Sequence, residues 1–190
     1  MLTILIFNLC IISMLVLTLV FPSSDYSLLF SCLTIVVSVV VEIAISGIMA
    51  IIACKWLPDK YFRVDHWMYK VSKTEQNFYK WLQVKKWKDI SLELGILNHF
   101  PKNKIHPKNI EYLEKFIMES NRGYLGHLLG IIFGTIAIFF LPQGLIFTIG
   151  IPLLIGNFVI NYMSVAILRY NIPRLQIALK YATKKQPITA

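Results

Sequence analysis

The first 54 residues of this 190-residue chain contain no lysine or arginine, and residues 123–168 contain no Lys, Arg, Asp or Glu. Those gaps exclude an ordinary soluble domain, in which about a quarter of the residues are charged. They suit a multispanning membrane protein, because a charge at the bilayer centre costs about 2.5–3.5 kcal/mol on insertion scales. Cysteine is scarce too. Cys10, Cys32 and Cys54 lie within or at the end of apolar runs with no CxxC pair, which argues against a disulfide framework or zinc site. They read as small buried hydrophobes. The four histidines, His66, His99, His106 and His127, show no HxxxH or HExxH spacing, so nothing reads as a metal site. GxSxG, P-loop, Rossmann and paired-carboxylate motifs are missing, as are repeats and low-complexity tracts.

What the chain has is 56% hydrophobic residues and a net charge of +9. All 19 Lys and Arg fall in residues 55–122 and 169–190. Lys and Arg near membrane ends stay in the cytoplasm, so both termini and both basic stretches are expected there, in a multi-pass protein of the cell membrane. Anionic headgroups attract such residues by about 1 kcal/mol each. Topology therefore accounts for the basic balance, and no nucleic-acid partner is read from it.

The expected fold is all-α, an integral membrane four-helix protein forming a single domain. Its spans cover about residues 2–21, 27–54, 123–141 and 145–168, each long enough to cross a hydrocarbon core of about 30 Å. The first run lacks the basic n-region and small-x-small site of a cleaved signal, so it reads as a span. Pro22 to Tyr26 and Pro142-Gln143-Gly144 read as outside turns, Pro58 as a stop to the second span, and Pro152 as an interruption of the fourth. Gly123, Gly126, Gly130 and Gly134 would let the third span pack closely.

Residues 55–122 form the cytoplasmic interfacial segment and residues 169–190 a basic tail. Trp56, Trp67, Trp81 and Trp87 alternate with lysines, as the headgroup layer selects. Ser72 to Glu75 reads as a capping box opening a helix over 73–88. Phe78, Trp81 and Leu82 share one of its faces, so it should lie flat on the membrane with those three inserted. Lys85, Lys86 and Lys88 suit its C-terminal end. Residues 95–108 read as a loop, and helical periodicity resumes over 109–121.

Polar residues inside spans are the candidates for chemistry. His127 follows Arg122 by five residues and can serve as a general base, or as a packing histidine bonded between helices. Glu42 lies mid-span, to be paired or to face a cavity. Asn157 and Asn161 are one turn apart on one face, which suits interhelical hydrogen bonding as well as substrate contact. Arg169 and Arg174 flank a proline turn that can hold a phosphate or carboxylate, or that simply marks the membrane exit.

Four segments in one order carry a resemblance: LPDKYFR (57–63), FYKWLQVKKWKD (78–89), ESNRGYLGH (119–127) and RYNIPRL (169–175). Together they resemble the glycosyl-diaponeurosporenoate acyltransferase family, the CrtO-type membrane proteins of staphyloxanthin biosynthesis, over residues from about 50 to 180. The first span looks like an addition. The resemblance implies transfer of a fatty acyl group to a sugar hydroxyl of a membrane-embedded glycolipid-like carotenoid. The donor would be acyl-CoA or acyl carrier protein, a substrate rather than a cofactor, and the partners would be membrane lipids and the lipid or glycolipid acceptor.

Position by position, the family motifs fall on Trp87, Lys88, Arg122, His127, Asn161, Arg169, Tyr170, Asn171, Pro173 and Arg174. The implied roles make His127 the base, while Arg122, Arg169 and Arg174 hold the donor's phosphates or the oxyanion. These four would converge in one cavity at the cytoplasmic interface that opens towards lipid. Trp87, Lys88, Asn161, Tyr170 and Asn171 would contact substrate, with Glu42 added for its depth. Two departures matter. Tyr124 stands where the family pattern R-x-E-x-x-H has Glu, which brings Tyr124 into the catalytic set, and Ile172 stands where RYNRPRL has a further Arg. They keep open an alternative, a non-catalytic accessory, immunity or assembly subunit on the same scaffold.

Overall fold

Four helices long and apolar enough to cross a membrane dominate the computed structural model, which describes residues 2–89 and 109–185. The expected loop at 95–108 and the end of the tail lie outside the described residues. Among the described residues every regular element is helical.

Helix α1 spans Leu2–Val20 and α2 spans Leu28–Ile51. Ser27 caps α2, its hydroxyl accepting the Phe30 N–H at 3.2 Å. A π-helical turn, Ile52–Trp56, extends α2 to the expected stop before Pro58. Two short 3₁₀ turns follow, Asp59–Phe62 and Trp67–Tyr69. Helix α3 covers Lys73–Trp81, opened by Ser72 accepting from the Glu75 N–H at 3.1 Å, as the capping reading expects.

The expected helix over 73–88 is not continuous. Gln83 takes a left-handed φ of 53°, and a separate short helix α4 runs over Val84–Trp87. The break turns Val84 and Trp87 towards Ala166, Ile167 and Tyr170, which a straight helix would not reach. Leu82 joins that cluster, so it leaves the face it was expected to share with Phe78 and Trp81.

Helix α5 covers Ile110–Ile136 and α6 covers Ile151–Lys185. Two expected boundaries disappear here. The helix at 109–121 and the third span are one element, capped by Asn109 Oδ1 accepting the Tyr112 N–H at 3.0 Å. The basic tail is helical as well, and Pro173 sits inside α6 rather than in a turn. Proline removes one i→i−4 bond. The helix continues because Leu175 and Ala182 beyond it bury against Leu113, Phe116 and Ile117 of α5. Pro152 is tolerated because it lies in the first turn of α6, after a π-helical turn at Ile146–Gly150.

The 35 residues of α6 reach about 50 Å at 1.5 Å each, well beyond the hydrocarbon. Its excess length and that of α5 project together on the side carrying the Lys and Arg, called here the basic side. Helix α5 packs against both α2 and α6. A Cβ at Gly126 would lie 3.4 Å from the Ala50 backbone of α2, while Gly130 and Gly134 face asparagines of α6. Helix α1 packs on α6, where Cys10 sits over Gly156. Away from the basic side the core is Met14, Ile35, Leu145, Ile149 and Leu153.

Candidate functional site

The α5–α6 seam carries a ladder of side-chain hydrogen bonds through the spans. Half-buried His127 of α5 places Nδ1 3.0 Å from Asn161 Oδ1 of α6. The Asn161 amide donates to Asn157 Oδ1 at 2.6 Å and to the Asn157 backbone carbonyl at 3.1 Å. The Asn157 amide donates in turn to the α5 carbonyls of Ile131, at 3.2 Å, and Gly130, at 3.4 Å. Both asparagines are buried. In hydrocarbon an unpaired amide is costly, so such a ladder fixes the rotation of α6 against α5.

Glycine makes room for the ladder. A Cβ at Gly130 would come 3.0 Å from Asn161 Oδ1. At Gly134 it would come 2.4 Å from Asn157 Nδ2 and 2.3 Å from a carboxyl oxygen of Glu42, which α2 delivers to the same spot. Glu42 is buried, and neither of its oxygens has a hydrogen-bond partner among the described residues. Gly134→Ala should therefore overpack the three-helix contact and cost about 1–3 kcal/mol. Thermal unfolding in detergent measures it. A wild-type midpoint in that variant would show that Glu42 and Asn157 move aside freely.

Nearer the basic side, Arg169 is 7% exposed and forks onto Glu75 of α3, with Nε to Oε1 and Nη2 to Oε2 both at 2.7 Å. Nη2 also donates to the Lys70 carbonyl at 3.1 Å and Nη1 to that of Met68 at 3.5 Å. The guanidinium lies 4.9 Å from the Tyr124 ring centroid, and the Tyr124 ring meets Tyr69 edge-on. Position 124 thus faces Arg169 across the helix pair. Tyr79 donates its hydroxyl to Glu75 at 2.9 Å, and burial followed by that bond pushes its pKa up. Burial likewise raises Tyr69, to about 12, with Tyr124 adding to the shift.

The other candidates hold partners of their own. Arg122 pairs with Asp59 and, at 2.9 Å, with Glu119, and its guanidinium lies 5.1 Å from the Phe62 ring centroid. Exposed Arg174 donates to the Tyr170 carbonyl at 2.6 Å and covers the Tyr170 ring at 3.6 Å. Trp87 donates its indole N–H to the Leu82 carbonyl at 3.0 Å and packs in the cluster that holds Tyr170. Lys88 pairs with Asp89 at 3.4 Å, and Asn171 is half-buried on α6. The structure therefore joins His127 to Asn161, Tyr124 to Arg169, Trp87 to Tyr170, and Tyr170 to Arg174. Arg122 turns instead to the turn at Asp59–Phe62. Glu75, Asp59 and Glu119 are site neighbours that the sequence reading does not single out. The capping-box reading turns the Glu75 carboxylate back to the Ser72 N–H, whereas that carboxylate accepts from Arg169 and Tyr79, and its i, i+4 spacing to Tyr79 is the one local signal of this role.

Comparison with known proteins agrees with the motifs. The glycosyl-4,4'-diaponeurosporenoate acyltransferase family matches residues 58–181. The curated protein of that description from Staphylococcus aureus strain MRSA252 is 31% identical over 140 residues, covering 68% of this chain and 78% of the relative. The strain Newman protein gives the same identity and coverage, and the strain N315 protein is 29% identical over 134 residues, with the same shares covered. No solved structure matches.

Proposed function

The chain belongs to the glycosyl-4,4'-diaponeurosporenoate acyltransferase family, and on that premise we propose that it moves a fatty acyl group from an anionic donor, acyl-CoA or acyl carrier protein, to a hydroxyl of a membrane-embedded glycolipid-like acceptor. The observation that carries the reading is His127, half-buried between the two long helices and oriented by Asn161. The acceptor hydroxyl gives its proton to His127 as its oxygen attacks the thioester carbonyl. The carbon–oxygen bond forms, the carbon–sulfur bond breaks, and the imidazolium returns the proton to the thiolate. Arg174, exposed and paired with no carboxylate among the described residues, is the cation best placed to meet donor phosphates. Purified protein in nanodiscs, given palmitoyl-CoA and octyl glucoside, should release CoA and form the ester. Absence of ester under every donor would sink the reading.

One observation favours the accessory alternative. Arg122 and Arg169 are both neutralised by carboxylates of this chain rather than left for a donor. The assay above separates the two readings.

Orientation follows from the charge segregation, with the basic side in the cytoplasm. In intact cells an impermeant maleimide should label Ser24→Cys and leave Lys184→Cys unlabelled; the reverse pattern inverts the topology. Trp56, Trp67 and Trp81 are each 75% exposed beside exposed lysines, which suits the headgroup layer. In a variant retaining Trp81 alone, lipids brominated near the glycerol should quench its fluorescence. Quenching by aqueous acrylamide instead would place α3 in water.

A further inference from the structure

We propose that Asn161, itself held by Asn157, is a positioning residue that fixes His127 in the Nδ1–H tautomer and so makes Nε2 the basic nitrogen of the transfer. The inference rests on reading His127 as the base, and it follows from the direction of the ladder. Backbone carbonyls can only accept. The Asn157 amide faces two of them on α5, so its nitrogen is fixed there and its Oδ1 must point at Asn161. The Asn161 nitrogen is fixed twice over, by Asn157 Oδ1 and by the Asn157 backbone carbonyl. Turning Asn161 over would set its oxygen against Asn157 Oδ1 at 2.6 Å, and turning Asn157 over would set its oxygen against the Ile131 carbonyl at 3.2 Å. Asn161 Oδ1 therefore faces His127, and an amide oxygen accepts only, so Nδ1 carries the hydrogen. In the neutral ring the lone pair then belongs to Nε2.

The ladder also suits the chemistry. When Nε2 takes a proton, Nδ1–H keeps its bond to Asn161, and the developing imidazolium is met by a neutral amide dipole rather than a buried counter-charge. Gly130 is part of the same device, because a Cβ there would press on the accepting oxygen at 3.0 Å. The alternative role for Asn161, direct contact with substrate, competes poorly with a carboxamide whose oxygen and nitrogen are both engaged by the protein.

The test is ¹⁵N NMR of the histidine-labelled full chain in nanodiscs, with the His127 signals identified by their loss in His127→Gln. The expected result is a protonated Nδ1 and a pyridine-type Nε2 in the neutral ring. An isolated histidine favours the opposite tautomer, so Nε2–H in the wild type would overturn the proposal even if no variant folds. Asn161→Leu should revert to Nε2–H and lose about a hundredfold in kcat for palmitoyl-CoA and octyl glucoside, with KM unchanged. Asn161→Asp retains an acceptor oxygen and should keep the Nδ1–H tautomer. Retention of that tautomer by Asn161→Leu would also overturn the proposal. Full transfer by His127→Ala, with Nδ1–H in the wild-type spectrum, overturns the base reading and leaves the tautomer assignment supported.

Discussion

Replacing His127 by alanine should lower acyl transfer by about 10²- to 10⁴-fold, the usual contribution of a positioned general base, with membrane insertion unchanged. Insertion survives because His127 is half-buried and α5 buries its other contacts elsewhere, through Gly126 on α2 and through Leu113, Phe116 and Ile117 on α6. The measurement is ester formation from palmitoyl-CoA by equal amounts of folded wild-type and variant protein. Binding of the donor should be preserved, so the loss belongs in kcat rather than KM. A merely structural histidine predicts the opposite pattern. The variant would then unfold at lower temperature, while the molecules that remain folded would transfer at the wild-type rate.

The four long apolar helices are legible in the sequence because lipid imposes a blunt rule on composition, which needs no knowledge of any contact. Glycine spacing in the third span also announces close packing, and Gly126, Gly130 and Gly134 do meet neighbours there. Helix ends on the basic side are less legible. The polar run ESNR at 119–122 looks like a break between a soluble helix and a span, yet Ser120 and Asn121 are buried within continuous α5. Asn121 spends its amide on the Phe62 carbonyl, a partner 59 residues away that no local pattern reveals.

The same limit applies to the site. His127, Asn161 and Arg169 stand out as polar groups next to or inside apolar runs, which is a statement about composition. Their pairing depends on how α6 is rotated against α5 and on where α3 docks, and hydropathy contains neither angle. Arg169 shows the consequence. Its spacing within RYNIPRL suggests an anion-binding turn, whereas α6 continues as helix and aims the guanidinium at Glu75, 94 positions earlier. Tyr124 lies on that same guanidinium, and His127 is oriented by the Asn161 amide.

Glu75→Gln should destabilise the protein by about 3 kcal/mol, because it strands the buried Arg169 cation while three helical segments depend on the fork. Arg169→Met should cost less, since Glu75 is a quarter exposed and water can reach its carboxylate. Combining Glu75→Leu with Arg169→Met should recover most of the loss, as apolar replacement of a whole buried pair often does. Thermal unfolding of Glu75→Leu, Arg169→Met and the double in detergent gives the coupling, and strict additivity would refute a shared interaction. Activity then separates two uses of Arg169. If the fork only docks α3 onto α6, the double variant regains transfer together with stability. If a donor phosphate displaces Glu75 and takes the guanidinium during turnover, the double variant folds but stays inactive with palmitoyl-CoA. The present geometry favours docking, because four donor contacts already hold Arg169 to Glu75 and to the Met68 and Lys70 carbonyls.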